Sequence, residues 1–216
     1  MNNLLLYVSN ILIIVAFLIY GMFILINKKK IATKSNGFNV TKDMLSKYDR
    51  INIIENKGYF TYYNIKRKVI KLSSSRYYGK GISDIVISLL EAGISSFDNG
   101  KNRIINSFKI FVPNLKCLYI LPLLAIGINS VTNNVSDARV SLIFLGIFVM
   151  IQFCLMEIKD MACIWCEDRI AKYSGMTKEV KYKVLNKILL LNRIDKIILI
   201  GELLMIIRYV AIMLNM

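Results

Sequence analysis

Hydrophobic and polar positions along this chain fall into long blocks rather than a residue-by-residue alternation. Leu4 to Ile26 is a run of 23 residues without a charge, enough to cross about 30 Å of hydrocarbon as a helix. No basic stretch precedes it and no small-residue cleavage site follows it. It is also longer than the apolar core of a signal peptide, so it reads as an uncleaved anchor. A second block runs from about Ile110 to Val131, with Lys116 near one end, where its stem can snorkel, and with Pro113 and Pro122 to kink it. Asn129 to Arg139 is short and polar, and Val140 to Met156 returns as 17 uncharged residues, so the two blocks predict a hairpin. Ile197 to Leu214 is the last block and contains Glu202 and Arg208. Charges at such depth are costly against lipid, which predicts that both face protein or the interface. Six residues apart, they stand about 120° apart around a helix, which argues against a mutual ion pair.

Between the first two blocks the period shortens. Residues 31–50 predict a polar start and a short helix capped by Thr41, with Asp43 in its first turn. Three strand-like runs follow, Ile51–Glu55, Tyr59–Tyr63 and Lys68–Leu72, broken by Lys57-Gly58 and by Asn64. Lys66-Arg67-Lys68 would cover a turn and a strand edge. An apolar helix over residues 83–97 comes next, started by Ser83 as N-cap and closed by Asn99-Gly100. The chain therefore divides into an anchor (4–26), an α+β segment (31–109), a hairpin (110–156), a helical segment (157–196) and a final span (197–214).

Composition adds orientation. The chain is 56% hydrophobic with a mean hydropathy of +0.51, yet it carries 29 Lys+Arg against 14 Asp+Glu, a net charge of +15. Apolarity and basicity coexist when the apolar spans lie in lipid and the basic loops in the cytoplasm. Lys28-Lys29-Lys30 follows the first span at once, and residues 28–112 hold 17 basic against 6 acidic side chains. The positive-inside rule then places the N-terminus outside and the 31–109 and 157–196 segments in the cytoplasm. The expectation is an α-helical multi-pass protein of the cell membrane, with about four transmembrane helices and a small cytoplasmic α+β portion. The basic residues flank apolar spans and no recognition motif accompanies them, so the charge points to a bilayer as partner and not to nucleic acid. Four cysteines, Cys117, Cys154, Cys163 and Cys166, are too few and too close to the spans for a secreted disulfide framework.

The candidate chemistry begins with an absence, since the 216 residues include no histidine. Several stretches are nevertheless ordered in a telling way. Gly58-Tyr59-Phe60-Thr61-Tyr62-Tyr63-Asn64 leads to Val69-Ile70-Lys71-Leu72-Ser73, and then to Leu90-Glu91-Ala92-Gly93-Ile94 within the apolar helix. Val112-Pro113, Glu157 and Ile206-Ile207-Arg208 follow. Over about residues 36–212 this series resembles the neutral zinc metallopeptidase family of bacterial membrane proteins (YugP-like), which implies a zincin-like cytoplasmic portion. In that family the helix reads His-Glu-x-Gly-His and the stretch before it Asp-His-Tyr-Asp, and a Pro-x-Glu segment beyond the hairpin holds a third ligand.

The departures decide what the resemblance implies. In a His-Glu-x-x-His helix the two histidines share a face and bind zinc, and the glutamate activates the zinc-bound water. Here Glu91 stands at the general-base position, but the ligand positions are Leu90 and Ile94, and Thr61-Tyr62 replaces the Asp-His pair. Hydrocarbon offers no lone pair to a metal. Glu157 falls at the third position, and Gly93 fits close helix packing. The favoured reading is a degenerate, catalytically inactive relative that acts by binding, with no cofactor of its own. Its partner would be a peptide, another membrane protein or an active peptidase paralogue, taken up by strand addition to a sheet edge. Two other readings stay open. One is a membrane metallopeptidase with an atypical metal site drawn from Glu91, Glu157 and the cysteines, among which Cys163 and Cys166 have the commonest two-ligand spacing. The other is an unrelated basic four-span membrane protein.

Overall fold

The computed structural model describes residues 2–28, 34–45, 51–98, 117–132 and 135–214, which form seven helices and one three-stranded sheet. Helix α1 is Asn2–Lys28, α2 Gly37–Met44, α3 Ser74–Tyr77, α4 Ile82–Ser96, α5 Cys117–Val131, α6 Val135–Lys172 and α7 Lys178–Leu214. The strands are β1 Asn52–Asn56, β2 Tyr62–Asn64 and β3 Val69–Ser73. Three helices, α1, α6 and α7, are long and apolar enough to cross a membrane, which fits a multi-pass membrane protein. The described part of the second apolar block is α5, 15 residues with Pro122 inside it. The predicted start of that block, with Pro113 and Lys116, lies outside the described residues, as does the closing Asn99-Gly100.

Contacts divide the chain into two compact units. The first, the bundle unit, comprises Met1–Gly21, Cys117–Met156 and Arg193–Met216. Its centre is Ile13, Ala125, Ala138, Leu145, Met205 and Tyr209. Its polar groups are turned inward while large apolar side chains point out: Leu4 is 66% exposed and Phe153 63%, whereas Ser9, Asn129, Glu202 and Arg208 are buried. That inversion is what hydrocarbon solvent favours, because lipid satisfies no polar group. Arg208 shows how the buried charge is accommodated. Its Nη1 donates to the carbonyl of Asn129 at 3.0 Å and to Asn129 Oδ1 at 2.9 Å, and its Nη2 donates to the carbonyl of Thr132 at 2.9 Å. A helix leaves its last carbonyls without intrahelical donors and carries partial negative charge there, so the guanidinium closes the end of α5. Asn129 in turn donates through Nδ2 to Ser9 Oγ and to Asn10 Oδ1 on α1.

The second, the sheet unit, comprises Met22–Lys116 and Glu157–Asn192. Its strand order is β1-β3-β2, with β1 parallel to β3 from Asn52↔Val69 to Asn56↔Ser73, and β2 antiparallel to β3. Asn56 shapes the chain between β1 and β2, its Nδ2 donating to the carbonyl of Phe60 at 2.8 Å. In the turn from β2 to β3, Asn64 Oδ1 accepts the amide of Arg67 at 3.0 Å and Lys68 takes a φ of 51°.

Several boundaries differ from the sequence expectation. The cap of α2 is Asn36, whose side chain accepts the amide of Asn39 at 2.9 Å. Thr41 lies inside the helix, buried, and Asp43 in its last turn, because the buried face of Gly37, Val40, Thr41 and Met44 fixes the helix one turn earlier. Ser83 is likewise interior to α4, whose N-cap is Gly81. Lys68 belongs to the turn and not to a strand, so the third strand starts at Val69. Residues 157–196 are helical, as the end of α6 and the beginning of α7 joined at 173–177, and Glu157–Asn192 belongs to the sheet unit while the flanking spans belong to the bundle unit. Thr177 starts α7, its Oγ1 accepting the amide of Val180 at 3.4 Å.

Candidate functional site

The site forms around α4, whose composition permits burial on every side. Apart from Leu90, which is half-buried, all its residues from Ile82 to Ser96 are buried. Three of its four serines satisfy themselves along the helix: Ser88 donates to the carbonyl of Asp84, Ser95 to that of Ala92 and Ser96 to that of Gly93, each at 2.7 Å. Small side chains then let neighbours come close. A Cβ at Gly93 would stand 2.9 Å from both the Cβ and the carbonyl oxygen of Ala162 on α6. One turn further on, the Cys166 thiol donates to the carbonyl of Leu89 at 3.3 Å. At the other end, the Asp84 carboxylate lies in the first turn, where it complements the helix dipole, and a Cβ at Gly79 would come within 2.4 Å of its Oδ2.

Glu91 is 7% exposed, and its Oε2 accepts the backbone amide of Tyr63 at 2.8 Å. That amide points away from β3, so the glutamate closes the outer edge of β2. The phenol of Tyr63 is fully buried and donates to Asp98 Oδ2 at 2.5 Å, just past the end of α4. Strand and helix are thus joined through one residue of β2. Burial lifts the Glu91 carboxyl to about 7 from an ordinary 4.5, and the Tyr63 amide, Lys159 and Arg76 pull in the opposite direction. Burial and the Asp98 carboxylate together push the Tyr63 phenol upward.

The raised Glu91 value has a sign that can be measured. An acid whose folded value exceeds its unfolded one contributes stability that is complete below about 4.5 and is lost as pH rises through about 7. Glu91→Gln keeps an acceptor for Tyr63 but cannot ionise. The parent protein is therefore expected to lose up to about 3 kcal/mol relative to Glu91→Gln between those two values. Thermal unfolding in detergent at a series of pH values checks this, and parallel curves for the two proteins would refute it.

The remaining sequence-predicted residues do not converge. Ile94 is 5% exposed, within the packing of α4, and Leu90 is half-buried on the same face. Glu157 is exposed on α6, about 200° around the helix from Lys159, the residue whose charge acts on Glu91. Cys163 and Cys166 are buried thiols that form no disulfide. Among the described residues no three His, Cys, Asp or Glu side chains gather as metal ligands. Zinc needs three or four such donors directed at one point. This set offers two hydrocarbon side chains, a carboxylate that accepts a backbone amide, an exposed carboxylate and two buried thiols, one of them donating to a carbonyl, and these do not gather at one point, so it does not fit that ion.

Sequence reasoning placed Glu91 in the site but missed its partners. Tyr63 lay in the motif stretch and Asp98 just past the helix, but no local pattern links either to α4. No protein-family model, curated protein or solved structure matches the chain.

Proposed function

We propose that this chain is a catalytically inactive, membrane-embedded relative of the zinc metallopeptidases and works by binding a peptide or protein. The observation that carries the reading is the state of Glu91. The residue at the general-base position is buried and accepts the Tyr63 amide, with Leu90 and Ile94 where the ligands would stand. In that role it holds a strand to a helix through Oε2. Parent of the arrangement would be a sheet-and-helix peptidase core in which the glutamate, freed from zinc, was taken into the packing.

The same geometry indicates where a partner strand would add. Glu91 closes β2 at Tyr63, whereas β1 is the other edge of the sheet. The Asn52 amide points inward to the carbonyl of Lys68, so the amides of Ile53 and Glu55 alternate outward, as strand addition requires. The three membrane-span-capable helices supply the bilayer anchorage, and the surplus of basic residues suits the cytoplasmic leaflet.

Elemental analysis of detergent-purified protein, expressed with zinc supplied, tests the reading. Less than about a tenth of a zinc per chain is expected, unchanged in Glu91→Gln. One zinc per chain, lost in Glu157→Ala or Cys163→Ser, would overturn it and establish an atypical metallopeptidase site.

A further inference from the structure

Helix α7 places two charged residues inside the bundle unit, and their surroundings differ. Arg208 is held by three acceptors at the end of α5. Glu202 is fully buried, and neither carboxyl oxygen has a hydrogen-bond partner among the described residues. It lies one turn before Met205, which packs with Ile13, Ala125, Ala138 and Leu145. Its neighbour Gly201 is pressed so closely against α1 that a Cβ there would come within 2.7 Å of Ile13 Cγ1. The carboxyl therefore sits in a hydrocarbon-packed interior.

No cation among the described residues of the bundle neutralises it. Lys196 and Arg208, six residues to either side, each stand about 120° around the helix from it. Helix α5 carries no charged residue, and Asp137 and Arg139 on α6 are exposed. Arg193, nine residues before Glu202, is exposed and stands about 180° around α7 from it, and Asp195 is an acid. The other titratable side chains among the described residues of the bundle unit are thiols and phenols, including Tyr7, Tyr20 and Tyr209, and neither group is a cation in any protonation state. An ionised carboxylate in such a place is strongly disfavoured, whereas a leucine of similar size is not. A glutamate placed there calls for a ligand that cancels its charge.

We propose that Glu202 is a binding site within the bundle for a small monovalent cation, a proton or a sodium ion, which it takes from water and returns to it. The site is separate from the Glu91 arrangement and stands whether or not the chain descends from a peptidase. Infrared difference spectra of the full-length protein in lipid vesicles test it, with Glu202→Gln as the neutral variant of the same shape. In the parent, a carbonyl stretch of a protonated carboxyl is expected in acidic buffer and absent from Glu202→Gln, with thermal unfolding of the two proteins coinciding. Its disappearance on alkalinisation in choline buffer identifies the ligand as a proton. Its disappearance on replacing choline by sodium at constant pH identifies sodium as a competing ligand. A band that neither change removes, or identical spectra from parent and variant, would overturn the proposal.

Discussion

Arg208→Met is expected to destabilise the bundle unit by about 3 kcal/mol, because it leaves buried carbonyls at the end of α5 without a donor. The guanidinium serves Asn129 and Thr132 together, with three hydrogen bonds of 2.9–3.0 Å. Methionine fills a similar volume, so the loss reports the polar contacts and not a cavity. Asn129 is itself the residue that reaches Ser9 and Asn10, and freeing its side chain loosens α1 as well. Arg208→Lys should recover less than half of the loss, since a point charge cannot reproduce a planar fork on two carbonyls. Thermal unfolding of the three proteins in one detergent decides the matter. A methionine variant as stable as the parent would mean that water satisfies these carbonyls.

Gly93→Leu is expected to have a comparable effect in the sheet unit, at about 3 kcal/mol, from overpacking. The obstacle at position 93 includes backbone: the Ala162 carbonyl oxygen at 2.9 Å and Cα at 3.1 Å from a Cβ placed there. A side-chain rotation cannot relieve it, so α4 and α6 would have to separate. Gly93→Ala should already cost a measurable part of this, and Ala162→Gly should restore some of it, because the two sites share one contact. Trp165, the one tryptophan of the chain, lies three residues from Ala162, so its fluorescence follows the separation. An unshifted emission and unchanged unfolding in Gly93→Leu would show that the crossing is looser than described.

What could be read from the sequence followed the solvent. The apolar runs at 4–26, 140–156 and 197–214 lie within helices because only a helix satisfies its own backbone in hydrocarbon. The three strands were each found within a few residues, from their Ile, Tyr and Val content. Helix starts were less legible. Thr41 and Ser83 have the chemistry of caps but are buried one residue or one turn inside, where packing of the apolar face outweighs local preference. Residues 157–196 are helical as expected, but their polar surface hides that α6 runs on unbroken through Glu157 and α7 through Lys196. Nor does any local pattern announce the parallel pairing of β1 with β3, the Tyr63 amide on Glu91 or the Arg208 clamp. The last two join residues 28 and 76–79 positions apart. The inference that Glu202 and Arg208 do not pair, made from helical angle alone, agrees with Arg208 bonding to α5 and Glu202 to no described residue.

The Arg208 clamp also sets a timetable for biosynthesis. Thr132 leaves the ribosome 76 residues ahead of the arginine that will bind its carbonyl. At about 5–20 residues per second that interval is roughly 4–15 s. Throughout it the end of α5 is a helix without its closing donor, and water or the insertion machinery must stand in. Helix α6 can enter the bilayer early, but the end of α5 is finished only when Arg208 arrives on α7.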